Sequence, residues 1–188
     1  MTTDLSHQHL CRQFAALFSY PDDSSRQTAA ACAAQLRDLE STAAGPMSRF
    51  AELLAAQHPV QLEELFTATF DLQPVCHPYV GYQLCGESQQ RTMFLMRLVQ
   101  LYQQHGFSGD VELPDHLATL LRFVGSVADR DCGMEIIQYG LLPALDKMAE
   151  GLEGEKQPYG ELITAVQSFL NETVAAGSGS VTAASRRS

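Results

Sequence analysis

The sequence predicts an all-α protein, a single-domain bundle of about eight helices around a buried central helix. Three observations lead there. Apolar residues recur at three- and four-residue spacing through most of the chain, as one face of a helix requires. Proline- and glycine-bearing words interrupt that pattern at intervals suited to helices. Nowhere do several short alternating runs supply the strands of a sheet. A chain of 188 residues is long enough to bury a core without disulfides or a structural metal.

The first helix covers Leu5 to Phe18, with Leu10, Phe14, Leu17 and Phe18 on one face, and Tyr20-Pro21-Asp22 ends it because proline cannot extend the ladder. A second, capped by Asp23, Ser24 or Ser25, carries Ala29, Cys32, Leu36 and Leu39. After the break at Gly45-Pro46, Met47, Phe50, Leu53 and Leu54 define a third. A fourth follows His58-Pro59, with Leu62, Leu65, Phe66, Thr69 and Phe70 together, and stops near Asp71. Residues 73–86 contain Pro74, Pro78, Gly81 and Gly86 and read as a loop.

Thr92–His105, opened by Glu87 or Ser88 and closed by Gly106, is apolar over so wide an arc that burial at the centre of the bundle is expected; only Arg97, Gln100 and Gln104 form a polar stripe. Pro114 and Asp115 then start a helix with Leu117, Leu120, Leu121 and Val124 inward. On this reading Glu112 and His116 are surplus to capping. A further helix holds Met134, Ile137, Leu141, Leu145 and Met148 and must kink or restart at Pro143. The last, after Pro158, buries Leu162, Ile163, Val166, Phe169 and Leu170. Beyond Ala176 the Gly-Ser-Gly-Ser tail has little to bury, so a helical domain over residues 1–176 and a disordered tail over 177–188 are expected.

The formal charge of −10 disfavours nucleic acid and anionic lipid as partners and favours a basic peptide or patch. Five cysteines, an odd number with no secretory leader before them, suit reduced thiols in the cytoplasm. No run is apolar enough to span a bilayer. Neither a phosphate-cradling glycine loop nor a Gly-x-Ser-x-Gly elbow occurs, so no catalytic residue is assigned and an enzyme is not expected. Cys76, His77 and Cys85 offer a metal- or cofactor-binding alternative, but four ligands at paired spacing are lacking, and no metal or cofactor is assigned.

Two polar words remain, Gly86-Glu87-Ser88 with Arg91, and Glu112-Leu113-Pro114-Asp115-His116-Leu117. Each alone reads as a helix start; together they bring Glu87, Arg91, Glu112, Asp115 and His116 into one neighbourhood if the helix between them folds back as a hairpin.

With Leu17-Phe18-Ser19-Tyr20-Pro21-Asp22, Glu64-Leu65-Phe66, Thr69-Phe70-Asp71 and Tyr102-Gln103-Gln104-His105-Gly106, these words resemble the NarJ/TorD family, cytoplasmic assembly chaperones of molybdenum-containing redox enzymes, and within it the nitrate reductase delta-subunit branch. The resemblance implies an all-helical, non-enzymatic protein that binds the apo catalytic subunit of a molybdoenzyme, by a basic and apolar N-terminal leader, and assists insertion of the molybdopterin cofactor. A monomer is expected, with a dimer as the alternative. A stable accessory subunit of the mature enzyme is the rival within the same setting. Asp71, Glu87, Arg91, Glu112, Asp115 and His116 are then the expected client-binding residues, and Asp115→Lys should weaken binding while leaving the fold nearly intact.

Overall fold

The computed structural model describes residues 2–71, 76–109, 112–152 and 157–184. Among them the helices are α1 (Thr2–Leu17), α2 (Ser25–Asp38), α3 (Ala44–Ala56), α4 (Pro59–Phe70), α5 (Val80–Cys85), α6 (Gln89–Gln104), α7 (Leu117–Val124), α8 (Arg130–Ile136), α9 (Leu142–Gly151) and α10 (Pro158–Ala184). A π-helical turn, Ile137–Leu141, joins α8 to α9. The described residues contain no strand, only an isolated bridge between Tyr79 and His116. The fold is an all-α bundle, as the periodicity predicts.

The buried centre is a different helix from the one expected. All residues of α7 except Arg122 are buried, and α1 packs along it so closely that a Cβ on Gly125 would lie 2.6 Å from that of Cys11. The stretch Thr92–His105, by contrast, belongs to an outer helix. Its α6 buries Arg91, Leu98 and Tyr102 but leaves Met93, Met96 and Val99 51%, 61% and 40% exposed. The reason lies in the arc on which these residues fall. At 100° per residue Met93 and Met96 lie with Arg97, Gln100 and Gln104, so burying the methionines would bury three polar side chains as well. In α7 the polar arc is confined to Thr119 and Arg122, and of these only Arg122 escapes burial.

Around α7 the layers follow the apolar faces. α1 lies between α2 and α7, α3 bridges α2 and α10, α9 packs on α10, and α5 joins α6 to α9. Phe50, Phe66, Phe70 and Tyr159 interlock in tilted and edge-on contacts where α3, α4 and α10 meet. The inward residues expected of α10, Leu162, Ile163, Val166, Phe169 and Leu170, are all buried.

Punctuation read from the sequence also has other consequences. The expected loop at 73–86 contains α5, because Pro78 precedes its N-cap Tyr79 and Gly86, at φ 63°, closes it; the glycine and proline delimit a short helix instead of excluding one. Residues 73–75 of that loop lie outside the described residues. Pro46 falls in the first turn of α3, where its missing N–H costs nothing. Pro143 restarts the helix as expected, through the π turn, in which Leu142 N–H reaches back to the Ile137 carbonyl. α10 runs on past Ala176 to Ala184, with Gly177 against Met134; the rest of the expected tail, 185–188, lies outside the described residues.

One polar clamp holds the C-terminal helix to the turn between α2 and α3. Glu172 accepts hydrogen bonds from the Ser41 hydroxyl (2.7 Å) and from the Thr42 N–H (2.7 Å) and hydroxyl. Burial raises the Glu172 pKa, but these donors outweigh it and hold it below the ordinary glutamate value. Glu172→Gln should therefore cost about 1 kcal/mol at neutral pH, a modest figure because the carboxylate is only half-buried. Because the folded pKa is the lower one, the wild-type advantage is present above the unfolded glutamate range and fades as pH falls through the folded value. Urea melts of both proteins at neutral and acid pH test this.

Candidate functional site

Two chain segments are pinned side by side to build the site. Val80 N–H donates to the Asp115 carbonyl and Leu117 N–H to the Pro78 carbonyl, both at 2.8 Å, so Pro78–Val80 runs antiparallel to Asp115–Leu117. The Tyr102 hydroxyl of α6 donates to the Pro114 carbonyl at 2.8 Å. The loop before α7 is thus held from both sides. Pro78 and Tyr79, which carry none of the family resemblance, supply half of this support.

The start of α7 differs from expectation. Asp115 and Pro114 precede the helix, and His116 is its N-cap, with Nδ1 accepting from Ala118 N–H at 3.2 Å. This fixes Nδ1 as the unprotonated nitrogen in that arrangement. His116 is 7% exposed and packs edge-on against Tyr79, so it is a capping residue and not a surplus surface group.

With the cap supplied by its neighbour, the Asp115 side chain turns inward. It is fully buried, with Oδ2 accepting from Arg91 Nε at 2.9 Å and Oδ1 from Nη2 at 3.5 Å. Arg91, 8% exposed, also donates from Nη1 to Glu87 Oε1 at 2.6 Å, and its guanidinium lies 5.4 Å from the Tyr79 ring centre and 5.7 Å from that of Tyr82. Burial alone would lower the Arg91 pKa; the Asp115 carboxylate and then Glu87 override it and hold the guanidinium above its ordinary value. A Cβ on Gly81 would come within 2.7 Å of Asp115 Oδ2 and 2.9 Å of the Phe94 ring, so this ion pair needs a residue without a side chain there.

The expected site residues therefore separate into three groups. Glu87, Arg91, Glu112, Asp115 and His116 do come together, as the hairpin reading requires. Arg91, Asp115 and His116 form its interior and position the rest. Only Glu87, 77% exposed at its side chain, and the exposed Glu112 reach solvent, the latter 3.5 Å from the Tyr79 hydroxyl. Burial first, then the Glu112 charge, raises the Tyr79 phenol pKa. Asp71 is not part of the cluster: it ends α4, exposed, on the side of Tyr20 and Glu63. The expectation that Asp115→Lys would spare the fold fails on the same geometry, since it would set a second cation against a buried guanidinium.

Beside this cluster lies the exposed stripe of Met93, Met96 and Val99 along α6. It was masked in the sequence by the apolar count of the helix, although the polar stripe on the same arc already marked the solvent side. Methionine here is an adaptable apolar contact, suited to partners that vary in shape.

The Cys76, His77 and Cys85 alternative is not assembled. Cys76 is in the core, with burial pushing its thiol up to about 12; His77 lies tilted against Tyr82, ring centres 4.0 Å apart; Cys85 is exposed at the end of α5. No group of three metal-binding side chains occurs among the described residues. No described helix is long and apolar enough to cross a membrane.

Comparison with known proteins places these features in a family. Residues 25–176 match the nitrate reductase delta subunit family. A Bacillus subtilis (strain 168) protein described as a probable nitrate reductase molybdenum cofactor assembly chaperone, NarJ, is 29% identical over 149 residues, 78% of this chain and 80% of its own length. The crystal structure of a candidate redox enzyme maturation protein from Archaeoglobus fulgidus superposes with a TM-score of 0.60 at 20% identity, covering 88% of this chain and 93% of that one, which is a likeness of fold.

Proposed function

Because the chain belongs to the nitrate reductase delta subunit family, we propose that it is a non-enzymatic maturation chaperone that binds the apo catalytic subunit of a molybdopterin-dependent oxidoreductase in the cytoplasm. Its contact is the subunit's basic and apolar N-terminal leader, and binding keeps the subunit open to cofactor insertion. The observation that carries this reading is the unsatisfied outer face of α6, where Met93, Met96 and Val99 stand exposed beyond the carboxylate of Glu87 at the start of the same helix. An amphipathic basic segment would cover the methionines with its apolar face. Glu87 and Glu112 would meet its cations at the rim, and the charge of −10 would steer it in. Arg91, Asp115 and His116 contribute indirectly, by holding the rim in place.

The test is calorimetric titration with a synthetic leader peptide of the client subunit at two salt concentrations. Saturable one-to-one binding is expected, weakening as salt rises, and the Glu87→Gln, Glu112→Gln double variant should lose most of that salt dependence with a smaller loss of affinity, as rim charges do. Absence of binding at either salt would defeat the leader reading. Enrichment of the protein on cofactor-free over cofactor-loaded enzyme separates a chaperone from a stable subunit.

A further inference from the structure

Away from the α6 face, three words that play no part in the cluster at the start of α7, Ser19-Tyr20-Pro21-Asp22, Glu64-Leu65-Phe66 and Thr69-Phe70-Asp71, meet at a groove on α4. The groove has a volume of about 440 Å³ and is lined by Tyr20, Val60, Glu63, Glu64, Thr67 and Ala68. On α4 these residues and Asp71 recur at three- and four-residue spacing, so they share one face, and Leu62, Thr69 and Phe70 are buried on the other. The small side chains of Thr67 and Ala68 leave the floor open between the carboxylates at its two ends.

Tyr20, from the turn that leaves α1, forms the wall. Its ring packs edge-on against Phe66 with centres 5.6 Å apart, and its hydroxyl donates to Glu63 Oε2 at 3.2 Å. Desolvation first, then that hydrogen bond and the charges of Glu63 and Asp71, raise the phenol pKa, so Asp71 lies within electrostatic reach of the same wall. Tyr20 and Val60 are nonetheless more than half exposed. Glu63, Glu64 and Asp71 are exposed too, and none of them is in an ion pair among the described residues. The C-terminus of α4 adds the negative end of its dipole beside Asp71. Together these groups select the occupant. A purely apolar segment would lie against three unpaired carboxylates, and a lone cation would leave the floor and the Tyr20 ring in water.

We propose that this groove is a second docking surface, separate from the leader-binding face, for an extended segment of a partner protein that carries two arginines four residues apart with an apolar residue midway. Along the helix Glu63 and Glu64 stand roughly 10–12 Å from Asp71, at about 1.5 Å per residue. Residues i and i+4 of a strand lie on one face about 13 Å apart, with i+2 between them on that face. One guanidinium meets Glu63 and Glu64 beside the Tyr20 ring, the other meets Asp71, and the apolar residue covers Thr67 and Ala68. Arginine fits better than lysine, because its planar fork both pairs with carboxylates and stacks on an aromatic ring.

The probe is the peptide acetyl-Arg-Ala-Leu-Ala-Arg-amide, titrated into the full chain and followed by the amide chemical shifts of Val60, Thr67 and Ala68. Saturable binding at roughly 0.1–1 mM is expected. The Glu63→Gln, Glu64→Gln double variant should weaken it about fivefold, the effect of two exposed ion pairs, without altering the circular dichroism. The Glu87→Gln, Glu112→Gln double variant removes the same charge elsewhere and should leave it unchanged. Acetyl-Arg-Arg-Ala-Leu-Ala-amide, of the same composition, should bind at least about threefold more weakly, because adjacent arginines in a strand point to opposite sides. The proposal is overturned if the probe does not shift those amides, or if the two double variants lose affinity alike, the mark of attraction to net charge alone. It is equally overturned if the two peptides bind alike, if the leader peptide displaces the probe, which would assign the groove to the leader, or if the chain self-associates and the Glu63→Gln, Glu64→Gln variant does not, which would assign it to a second copy. Failure of the probe to bind leaves the leader titration, read on the α6 face, as it stands.

Discussion

Asp115→Ala is expected to destabilise the protein by ~3–5 kcal/mol, the cost of removing one partner from a buried ion pair. The effect is large because Arg91 is left 8% exposed with only Glu87 to answer it, a carboxylate whose own side chain is 77% exposed. Against a typical stability of roughly 5–15 kcal/mol that is a substantial share, and a less stable member of that range would fail to fold. The alanine also leaves a void beside Gly81, where the backbone was kept bare to admit the carboxylate. Urea titration should show a lower midpoint with little change in slope. Changing Arg91 to Met in the same chain should recover part of the loss, because the buried charge goes with its partner, and the double-mutant cycle should give a strong coupling. A loss below ~1 kcal/mol would instead be that of a surface pair. Client affinity measured on Asp115 variants reads folding before it reads contact.

The second large effect separates the two sides of one helix. Leu98→Asp places an unpaired carboxylate at a site 4% exposed, between Arg91 and Tyr102 on the inner face of α6, and should cost several kcal/mol or unfold the chain. Met96→Asp, two residues away but 61% exposed, should change stability by no more than about 0.5 kcal/mol. Parallel thermal melts decide this. Equal destabilisation would mean that α6 is enclosed, as the apolar content of Thr92–His105 alone predicts; two unchanged melting temperatures would mean that its inner face is misassigned.

That contrast marks how far the sequence could be read. Helices with one apolar face and a polar back, such as α1, α3 and α10, were legible from spacing, since only one orientation buries Phe14, Phe50 or Val166. In α6 the apolar residues outnumber what one face holds, so counting suggested burial, whereas the position of Arg97, Gln100 and Gln104 decides which methionines stay outside. The membership of the site was legible because Glu87, Arg91, Glu112, Asp115 and His116 flank a single helix and its loop. Their roles were not. Which of two adjacent residues caps α7 and which turns inward depends on Pro78–Val80 pairing with Asp115–Leu117, and pairing between segments so far apart in the chain leaves no periodic trace. Gly81 is similar: read as a breaker, it is a residue kept small by the Asp115 carboxylate and the Phe94 ring.

The central claim is that the exposed side of α6 receives the client leader, and the Met93→Ser, Met96→Ser double variant tests it most directly, because it removes apolar surface without adding charge or touching the core. Each methionine covered on binding is worth ~1.5–3 kcal/mol if fully buried, so calorimetric titration with the leader peptide should show affinity reduced by at least about tenfold, with an unchanged melting temperature. Affinity within about threefold of wild type, less than ~1 kcal/mol, in a variant that melts normally would contradict the account and move the client to another face of the bundle.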